Sequence, residues 1–318
     1  MDAYCVSHRK DIDGVGAAAL ASAATGGQVI LSDYDDLIAN LARIPDTAQR
    51  LVISDLGSDG AEFPEFVKEL KRIAKRAKVT YVDHHYASSV SKAKLRRAGV
   101  EVVHDVGECA SMLTYRTFRG SLPEGARYLA MYGAVTDYMD GSPLAKAMIE
   151  KADRQFVLLE STLLALALGR NSEKTGYAEM VVGELSRMRY PHEIPGVPSA
   201  AVEQLAIEAS LSEQVRAQGT KKGRLAFMVT SQYSTGNVAK LLIGAFDVPV
   251  GVAMKEKQNG WYEVSLRGTS GCRVHLGRTI AKISANLGGS GGGHRTAAGC
   301  RVPAQRSDEM IDSLARVV

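Results

Sequence analysis

The stretch KVTYVDHH, residues 78–85, runs from β-branched and apolar residues into one aspartate and two histidines. A short apolar run of this kind is typical of a strand that is buried on both faces, as in a parallel sheet. Open parallel sheets bind their ligands at the carboxyl ends of the strands. Asp83, His84 and His85 are therefore either a hydrogen-bonded polar strand end or part of a metal site whose other ligands lie elsewhere in the chain.

Similar runs occur across the first part of the chain and alternate with helical patterns. The predicted strands are residues 3–8, 28–33, 50–57, 78–85 and 100–106, and the predicted helices between them are residues 14–26 and 62–77. Residues 110–190 show mostly helical patterns. Strands that alternate with helices indicate a parallel sheet covered on both faces. The sequence thus predicts an α/β fold whose first domain, residues 1–190, is built on a parallel sheet.

The last part of the chain repeats the alternation on a smaller scale. The predicted strands are residues 224–231, 248–257 and 261–268, and the predicted helices are residues 235–246, 275–289 and 307–318. An Asn259-Gly260 pair between the last two strands favours a hairpin. These segments predict a smaller mixed α/β domain, residues 223–318. Residues 191–222, with prolines followed by a helical pattern, are interpreted as a linker and connecting helix.

The composition is that of a soluble protein in a reducing compartment. Hydrophobic residues make up 45% and charged residues 23% of the chain, and no apolar run is long enough to span a membrane. The first residues carry charge where a signal peptide needs an apolar stretch, which predicts a cytoplasmic protein. The four scattered cysteines form no CxxC pair, so we interpret them as free thiols rather than a disulfide framework or a zinc site.

Charge is distributed unevenly along the chain. Residues 221–318 contain 14 Lys and Arg against 6 Asp and Glu, so this part carries +8 and the rest −4 within a total of +4. An acidic first part and a basic last part fit a metal-binding half and an anion-binding half. Drift in surface composition explains the asymmetry equally well.

The segment SHRKDIDG, residues 7–14, places His8, Asp11 and Asp13 between a predicted strand and a predicted helix. Acidic residues often cap a helix N-terminus, and one carboxylate is enough for that role. Two carboxylates and an imidazole are more than capping requires. Two carboxylates so close in sequence suit ligands that serve two neighbouring metal ions.

Further acidic residues occur at the ends of other predicted elements: Asp33, Asp55 in LVISDLG and Asp137 in GAVTDYMD. Each alone is explained by capping or turn formation. Together with the histidines they indicate oxygen and imidazole ligands without thiolate, a set that favours Mn²⁺ or Mg²⁺ over structural zinc. Two such ions about 3.5–4 Å apart can share a water or hydroxide and hold both the attacking and the leaving oxygen of a phosphoryl transfer.

The segment GGSGGGHRTAAG, residues 288–299, contains six glycines. Glycines leave backbone N–H groups open to an anion, and the small residues that follow favour an ordered phosphate-binding loop over a merely flexible one. Arg267 ends a predicted strand, where it could bind a phosphate with two parallel hydrogen bonds. A solvated surface arginine is the alternative.

In this order the motifs resemble those of the DHH phosphoesterase family, in the branch with the DHH-associated C-terminal domain that includes NrnA-type nanoRNases. The segments similar to the family's four N-terminal motifs are SHRKDIDGVGAAAL, ISDLG, VDHH and GAVTDY. GECASMLTY, residues 107–115, resembles a segment between the third and fourth motifs, and VSLRGTS and GGGHRTAAG resemble the arginine strand and the GGGH loop of the associated domain. The resemblance covers almost the whole chain.

The resemblance implies an active site in the cleft between the two domains, with two metal ions that are usually Mn²⁺ and for which Mg²⁺ or Co²⁺ could substitute. One ion would be held by His8, Asp11 and Asp55, and the other by Asp13, Asp55, His84 and Asp137. Many family members space the first histidine and aspartate differently from His8 and Asp11.

The resemblance also implies roles around the ions. Asp83 would orient His84, and His85 would lie near the phosphate and assist the leaving oxygen. Substrate phosphate or the terminal nucleotide would be bound by Arg267, Gly291, Gly292, Gly293 and His294.

The two-domain length and the GGGH segment look most like stand-alone nanoRNases, which take short oligonucleotides from the 3′ end to mononucleotides. The resemblance therefore implies a phosphodiesterase acting on short RNA, on dinucleotides such as pApA, or on cyclic di-AMP. A phosphatase acting on adenosine 3′,5′-bisphosphate and a catalytically silent nucleotide-binding regulatory module are the alternatives. A homodimer through residues 110–190 is a further expectation, and no membrane partner is expected.

Overall fold

The computed structural model describes residues 2–57, 62–257 and 260–318. The chain divides into two compact units, Met1–Leu205 and Ala206–Val318. Each unit is built on its own β-sheet.

A five-stranded parallel sheet forms the centre of the N-terminal unit, in the order β2-β1-β3-β4-β5. Its strands are β1 Ala3–His8, β2 Gln28–Ser32, β3 Arg50–Ser54, β4 Lys78–Asp83 and β5 Val100–His104. The predicted parallel sheet is thus confirmed, and the carboxyl ends of all five strands meet at one edge.

The rest of this unit is mostly helical, as predicted. Its helices are α1 Ile12–Thr25, α2 Leu37–Ala42, α3 Phe63–Ala74, α4 Ser89–Arg97, α5 Ala110–Phe118, α6 Ala126–Thr136, α7 Pro143–Ile149, α8 Arg154–Arg170 and α9 Tyr177–Leu185. Helices α2 and α4 were not predicted, because each is short and buries only two side chains. None of the helices in the described ranges has the length and apolar character needed to cross a membrane.

The parallel sheet is covered on both faces. Along β3, Leu51 and Ile53 pack in the cluster that includes α2, α3 and α4, whereas Val52 packs with Ala21 of α1 and Leu113 of α5. Successive side chains of a strand point to opposite faces, so a strand that is covered on both sides must be apolar throughout. This explains the continuous apolar runs in the sequence.

Helix α1 lies close to the sheet because it is built from small residues. A Cβ atom on Gly14 would lie 2.4 Å from the carbonyl oxygen of His8. The helix ends at Gly26, whose φ of 67° forms a left-handed C-cap. The first turn of α1 is therefore held directly against the end of β1.

Helix α10, Val197–Gln218, continues across the division between the two units, and the short strand β6, Thr220–Lys222, follows it. The segment 191–222, predicted as a linker with a connecting helix, is mostly this regular helix. Its last three residues already belong to the C-terminal sheet.

The C-terminal unit has a six-stranded mixed sheet in the order β10-β11-β9-β8-β7-β6. Its remaining elements are β7 Leu225–Val229, α11 Thr235–Phe246, β8 Val250–Lys257, β9 Trp261–Gly268, α12 Leu276–Asn286, β10 Ser290–Gly293, β11 Ala297–Pro303 and α13 Ser307–Ala315. β7 and β8 are parallel and the other neighbours antiparallel. The predicted mixed α/β domain and the β8–β9 pairing are confirmed, while Asn259 in the connection lies outside the described residues.

The glycine-rich segment is largely a strand, and the prediction of a loop is wrong. β10 pairs with β11 at the edge of the sheet, and only residues 294–296 connect the two strands. A Cβ atom on Gly277 of α12 would lie 1.9 Å from the carbonyl oxygen of Gly293, and one on Gly291 would lie 2.5 Å from Cβ of Cys300. The glycines therefore allow the edge strand to pack closely against its neighbours.

We expect Gly251→Ala to destabilise the C-terminal unit by about 1–3 kcal/mol through overpacking. Gly251 lies in β8, and a Cβ atom there would lie 1.9 Å from the carbonyl oxygen of Ala239 in α11. Urea unfolding followed by the fluorescence of Trp261, the single tryptophan, measures the change.

Gly244→Ala is the matched control. Gly244 is exposed on α11, and no described atom lies within 4 Å of its Cβ position, so alanine there should stabilise the helix by up to about 1 kcal/mol. Equal unfolding midpoints for the two variants would contradict this account of the packing of α11 on β8.

Candidate metal centre

Polar side chains converge at the carboxyl edge of the N-terminal sheet. His8 ends β1, Asp55 follows β3 and Asp83 ends β4, while Asp11 is the N-cap of α1 and Asp137 the C-cap of α6. Within the described ranges, three groups have ligand atoms within 4.8 Å of one another: His8, Asp11 and Asp55; Asp13, His84 and Asp137; and Asp55, His84 and His85. The structure thus brings together the ligand residues of the N-terminal unit that the motifs suggested.

Asp11 contacts the N-terminus of α1 with one side-chain oxygen and His8 with the other. Its Oδ1 accepts a hydrogen bond from the N–H of Gly14, at 2.9 Å, and caps α1. Its Oδ2 lies 2.8 Å from Nδ1 of His8. Burial alone would lower the pKa of His8, but hydrogen bonds to Asp11 and Asp55 outweigh it and raise the pKa to about 10. Because capping uses only Oδ1 and Oδ2 faces His8, capping does not exclude metal binding.

Asp13 is buried in the first turn of α1 and is held by the N-terminus of α5. Its Oδ2 accepts a hydrogen bond from the N–H of Ala110, at 2.7 Å. Its Oδ1 accepts one from the N–H of Ser111, at 2.8 Å, and one from the Ser111 hydroxyl, at 2.6 Å. Three donors at the positive end of a helix stabilise this carboxylate and fix its orientation.

Gly133 of α6 lies against the same carboxylate. A Cβ atom there would lie 1.9 Å from Oγ of Ser111 and 2.7 Å from Oδ1 of Asp13. Neither Ser111 nor Gly133 was identified from the sequence as a residue that supports the site. The small residues around Ser111 in GECASMLTY, and the glycine four positions before Asp137, were the available signals.

Asp55 lies between two imidazoles. It is 2% exposed, with Oδ2 3.6 Å from Nδ1 of His8 and Oδ1 3.3 Å from Nε2 of His84. Its φ of 57° is left-handed, a conformation that costs a non-glycine residue on the order of 1 kcal/mol. Burial first, and then the negative charge of Asp13, raise the pKa of Asp55 above its usual range. This position suits a carboxylate shared between two cations.

The His84 ring lies among three carboxylates. Its Nε2 is 3.3 Å from Asp55 and 3.7 Å from Asp13, and its Nδ1 is 3.7 Å from Asp137. Burial lowers the pKa of His84, but the hydrogen bond to Asp55 and the surrounding negative charge outweigh it and raise the pKa to about 9. The surrounding carboxylates therefore favour the protonated ring when no cation balances their charge.

Asp83 supports His85, and the expectation that it orients His84 is wrong. Oδ1 of Asp83 lies 2.8 Å from Nδ1 of His85, and Oδ2 accepts a hydrogen bond from the Tyr81 hydroxyl at 2.9 Å. Alternate residues of an extended segment point to the same side, so Asp83 faces His85 rather than its direct neighbour. The hydrogen bond that the His85 ring donates to Asp83 is the main cause that raises the pKa of His85.

Asp33 extends the cluster beyond the predicted ligands. It follows β2, its Oδ1 lies 3.7 Å from Nε2 of His8, and it forms an ion pair with Lys10. The neighbouring Arg9 forms an ion pair with Asp36. The outer side of the centre thus carries cations as well as carboxylates.

A cavity of about 580 Å³ adjoins this side of the centre. Its lining includes Arg9 and Lys10, which directly follow His8, and residues 171–179 at the end of α8 and the start of α9. Lys174, Glu173 and Glu179 are among the charged side chains of that lining.

The donor set fits divalent cations that prefer oxygen and imidazole ligands. The three groups contain carboxylates and imidazoles only, which is the chemistry of Mn²⁺ and Mg²⁺ sites rather than of structural zinc. Burial and the charge of Asp13 raise the pKa of Asp137 to about 6. The buried carboxylates therefore repel one another, and cations between them would remove that repulsion.

In the C-terminal unit, Arg267, Gly293 and His294 lie at the same end of three neighbouring strands. Arg267 of β9 is opposite Ala297 of β11, Gly293 of β10 is opposite Ala298, and the N–H of His294 donates to the carbonyl of Ala297 at 2.7 Å. Gly291 and Gly292 lie further along β10.

The Arg267 guanidinium lies beside the first turn of α11. Its Nη2 is 3.0 Å from the Cβ position of Gly236. Burial lowers the pKa of Arg267.

One known protein-family model matches most of the C-terminal unit. The model of the DHHA1 domain matches residues 225–318, from β7 to the end of the chain. No curated protein sequence matches the chain.

Solved structures match over nearly the whole chain. A DHH-domain protein described as a member of a family of ribosomal proteins aligns with a TM-score of 0.72 at 18% identity, over 99% of this chain and 86% of that one. The pGpG-specific phosphodiesterase PggH from Vibrio cholerae aligns with a TM-score of 0.64 at 12% identity, over 99% and 98%.

RecJ from Thermus thermophilus aligns in two structures. The complex with Mn²⁺ has a TM-score of 0.66 at 15% identity and the complex with Mg²⁺ has a TM-score of 0.59 at 15% identity. Both cover 99% of this chain, but the match spans only 51% and 49% of RecJ. At these identities the likeness shows the fold. The chain therefore has the DHH fold, and its residues 225–318 match the DHHA1 domain.

Proposed function

We propose that the protein is a metal-dependent phosphodiesterase that hydrolyses short oligoribonucleotides or dinucleotides, such as pApA or cyclic di-AMP, to mononucleotides. The observation that carries this proposal is the pair of adjoining ligand groups at one sheet edge, with Asp55 between them. When bound, two neighbouring cations would stabilise the attacking and the leaving oxygen of an in-line displacement at phosphorus.

Mn²⁺ is the proposed ion, with Mg²⁺ or Co²⁺ as substitutes. One ion would be held by His8, Asp11 and Asp55, and the other by Asp13, Asp55, His84 and Asp137. The oxygen and imidazole donors support this choice, as do the Mn²⁺ and Mg²⁺ ions in the RecJ structures that share the fold.

His85 is proposed to protonate the leaving oxygen. Asp83 holds Nδ1 of the ring at 2.8 Å and raises the pKa of His85, which shifts the ring toward the protonated form that a general acid needs. Nε2 is then the atom that donates. The side chain is 42% exposed, so a substrate can reach it.

The C-terminal unit is proposed to bind the phosphate or terminal nucleotide of the substrate. A guanidinium binds a phosphate through two parallel hydrogen bonds, and Arg267 is available for this role. β10 is an edge strand, so some N–H groups of Gly291, Gly292 and Gly293 face away from β11 and can approach an anion. His294 would add a side-chain donor.

The structural match to a pGpG-specific phosphodiesterase supports a dinucleotide among the substrates. Every ligand that the motifs imply is present in the cluster, which argues against a catalytically silent regulatory module. A phosphatase acting on adenosine 3′,5′-bisphosphate would use the same cluster and is tested by the substrate panel below.

We expect Asp137→Asn and His84→Gln each to reduce kcat at least about a hundredfold, since even residues that only support metal ligands contribute roughly 10–100-fold. Circular dichroism should remain unchanged, because both side chains lie at element ends. Asp46→Asn is the control, since Asp46 is 65% exposed and precedes β3 at the opposite sheet edge. Wild-type turnover in either site variant would contradict the two-ion assignment.

Binding of Mn²⁺ at pH 7.5 should release at least one proton. His8 and His84 hold protons in the metal-free protein, with pKa values of about 10 and 9, and an imidazole must lose its proton to bind a metal. Affinity should therefore rise as pH rises from about 6 to 9.

Isothermal titration calorimetry in two buffers of different ionisation enthalpy measures this release. His84→Gln should release fewer protons than the wild type. Equal heats in both buffers would show that neither histidine gives up a proton, and would exclude them as ligands.

A substrate panel in Mn²⁺ tests the substrate class. It compares pApA, cyclic di-AMP, adenosine 3′,5′-bisphosphate, 5-mer and 20-mer RNA, 5-mer DNA and pyrophosphate. We expect the 5-mer RNA or pApA to give the highest kcat/KM, with the 20-mer and pyrophosphate poor. Highest activity on the bisphosphate would favour the phosphatase instead, and Mn²⁺ binding without any hydrolysis would favour the regulatory module.

A further inference from the structure

We propose that three tyrosines at the candidate metal centre, Tyr34, Tyr86 and Tyr138, stack against nucleobases of the substrate. We call these three residues the tyrosine rim. The inference rests on the proposed function and narrows it: the substrate is a single-stranded nucleotide with at least one unpaired base, rather than a base-free phosphoester such as pyrophosphate.

Among the residues that the structure describes, exposed tyrosine, phenylalanine and tryptophan side chains are confined to this one site. They are Tyr34, Tyr86 and Tyr138, at 44%, 79% and 80% exposure. Each directly follows a residue of the cluster, namely Asp33, His85 and Asp137. Neighbouring Cα atoms are about 3.8 Å apart, so all three rings originate at the border of the candidate metal centre.

Tyr34 is positioned by contacts on both sides of the centre. Its ring centroid lies 5.8 Å from that of His8, and its hydroxyl accepts a hydrogen bond from the N–H of Gly57 at 3.4 Å. A Cβ atom on Gly57 would lie 3.1 Å from Cβ of His85. Tyr34 thus reaches from the end of β1 to the segment that contacts His85.

Tyr138 has an unfavourable backbone conformation for a bulky residue. Its φ of 58° is left-handed, a region that glycine or asparagine adopts more easily. Its exposed ring contributes little to the hydrophobic core, so core packing does not account for a tyrosine at this position. Strained residues of this kind occur preferentially at functional sites.

Cations lie beside the tyrosine rim. Lys10 forms an ion pair with Asp33, which precedes Tyr34, and Arg9, Lys10 and Lys174 line the adjoining cavity. Proteins that bind single-stranded nucleic acids combine aromatic rings for the bases with cations for the phosphates. Because every base has a stackable face, this arrangement predicts little discrimination between bases.

The test is the binding of a 2-aminopurine pentaribonucleotide whose phosphorothioate linkages resist hydrolysis, measured in Mn²⁺ by fluorescence quenching. Tyr86→Ala and Tyr138→Asn should each weaken binding about tenfold, within the range for loss of one stacked base. Asparagine preserves the left-handed backbone at position 138. Tyr86→Phe keeps the ring and should restore the affinity lost in Tyr86→Ala.

Two controls separate stacking from other effects. Leu159→Ala removes a side chain that is 64% exposed on α8 and should bind like the wild type. A pentamer with abasic positions should bind the wild type weakly and should be insensitive to the tyrosine substitutions.

Unchanged affinity in Tyr86→Ala and Tyr138→Asn would overturn the proposal. So would an equal loss for base-containing and abasic pentamers, because the tyrosines would then act through the metal centre. If no phosphoester is hydrolysed but 2-aminopurine quenching depends on the tyrosine rim, the proposed activity fails while the stacking site stands.

Discussion

The burial of Asp13 against the N-terminus of α5 is the interaction on which the candidate centre depends. Its three hydrogen bonds replace the water that a buried carboxylate loses. The negative charge of Asp13 contributes to the raised pKa values of Asp55 and Asp137. The centre is thus a site of concentrated negative charge that cations would stabilise, while its geometry is set by helices outside the motif that contains Asp13.

The parallel sheet and the convergence of the polar residues could be predicted from the sequence. A strand covered on both faces must be apolar throughout, so β3 and β4 were recognisable. Because parallel strands share one carboxyl edge, His8, Asp55 and His84 had to lie near one another. The partner of Asp83 was assigned wrongly, since the resemblance pointed to His84, although alternation along an extended segment favours His85.

Other features depend on contacts between residues distant in sequence. A glycine run is compatible with a loop and with a close-packed strand. The close approach of Gly277 in α12 to the backbone of Gly293 explains why the glycines are needed in a strand. Helices α2 and α4 are too short for a clear periodicity. Ser111 supports Asp13 from 98 positions away. The tyrosine rim could be recognised only from the solvent exposure of the side chains. Nineteen Tyr, Phe and Trp residues occur in the chain, and the sequence does not show which of them are exposed.

Gly133 gives the centre an unusual dependence on helix packing. With no side chain at this position, α6 can approach Ser111 and Asp13, and the carbonyl of Gly133 accepts the hydrogen bond from the N–H of Asp137 at 2.9 Å. The spacing between Asp137, at the end of α6, and Asp13, in α1, is therefore a spacing between two helices. A methyl group added at Gly133 would move α6 outward and widen the candidate site. The wider site would prefer cations of larger ionic radius.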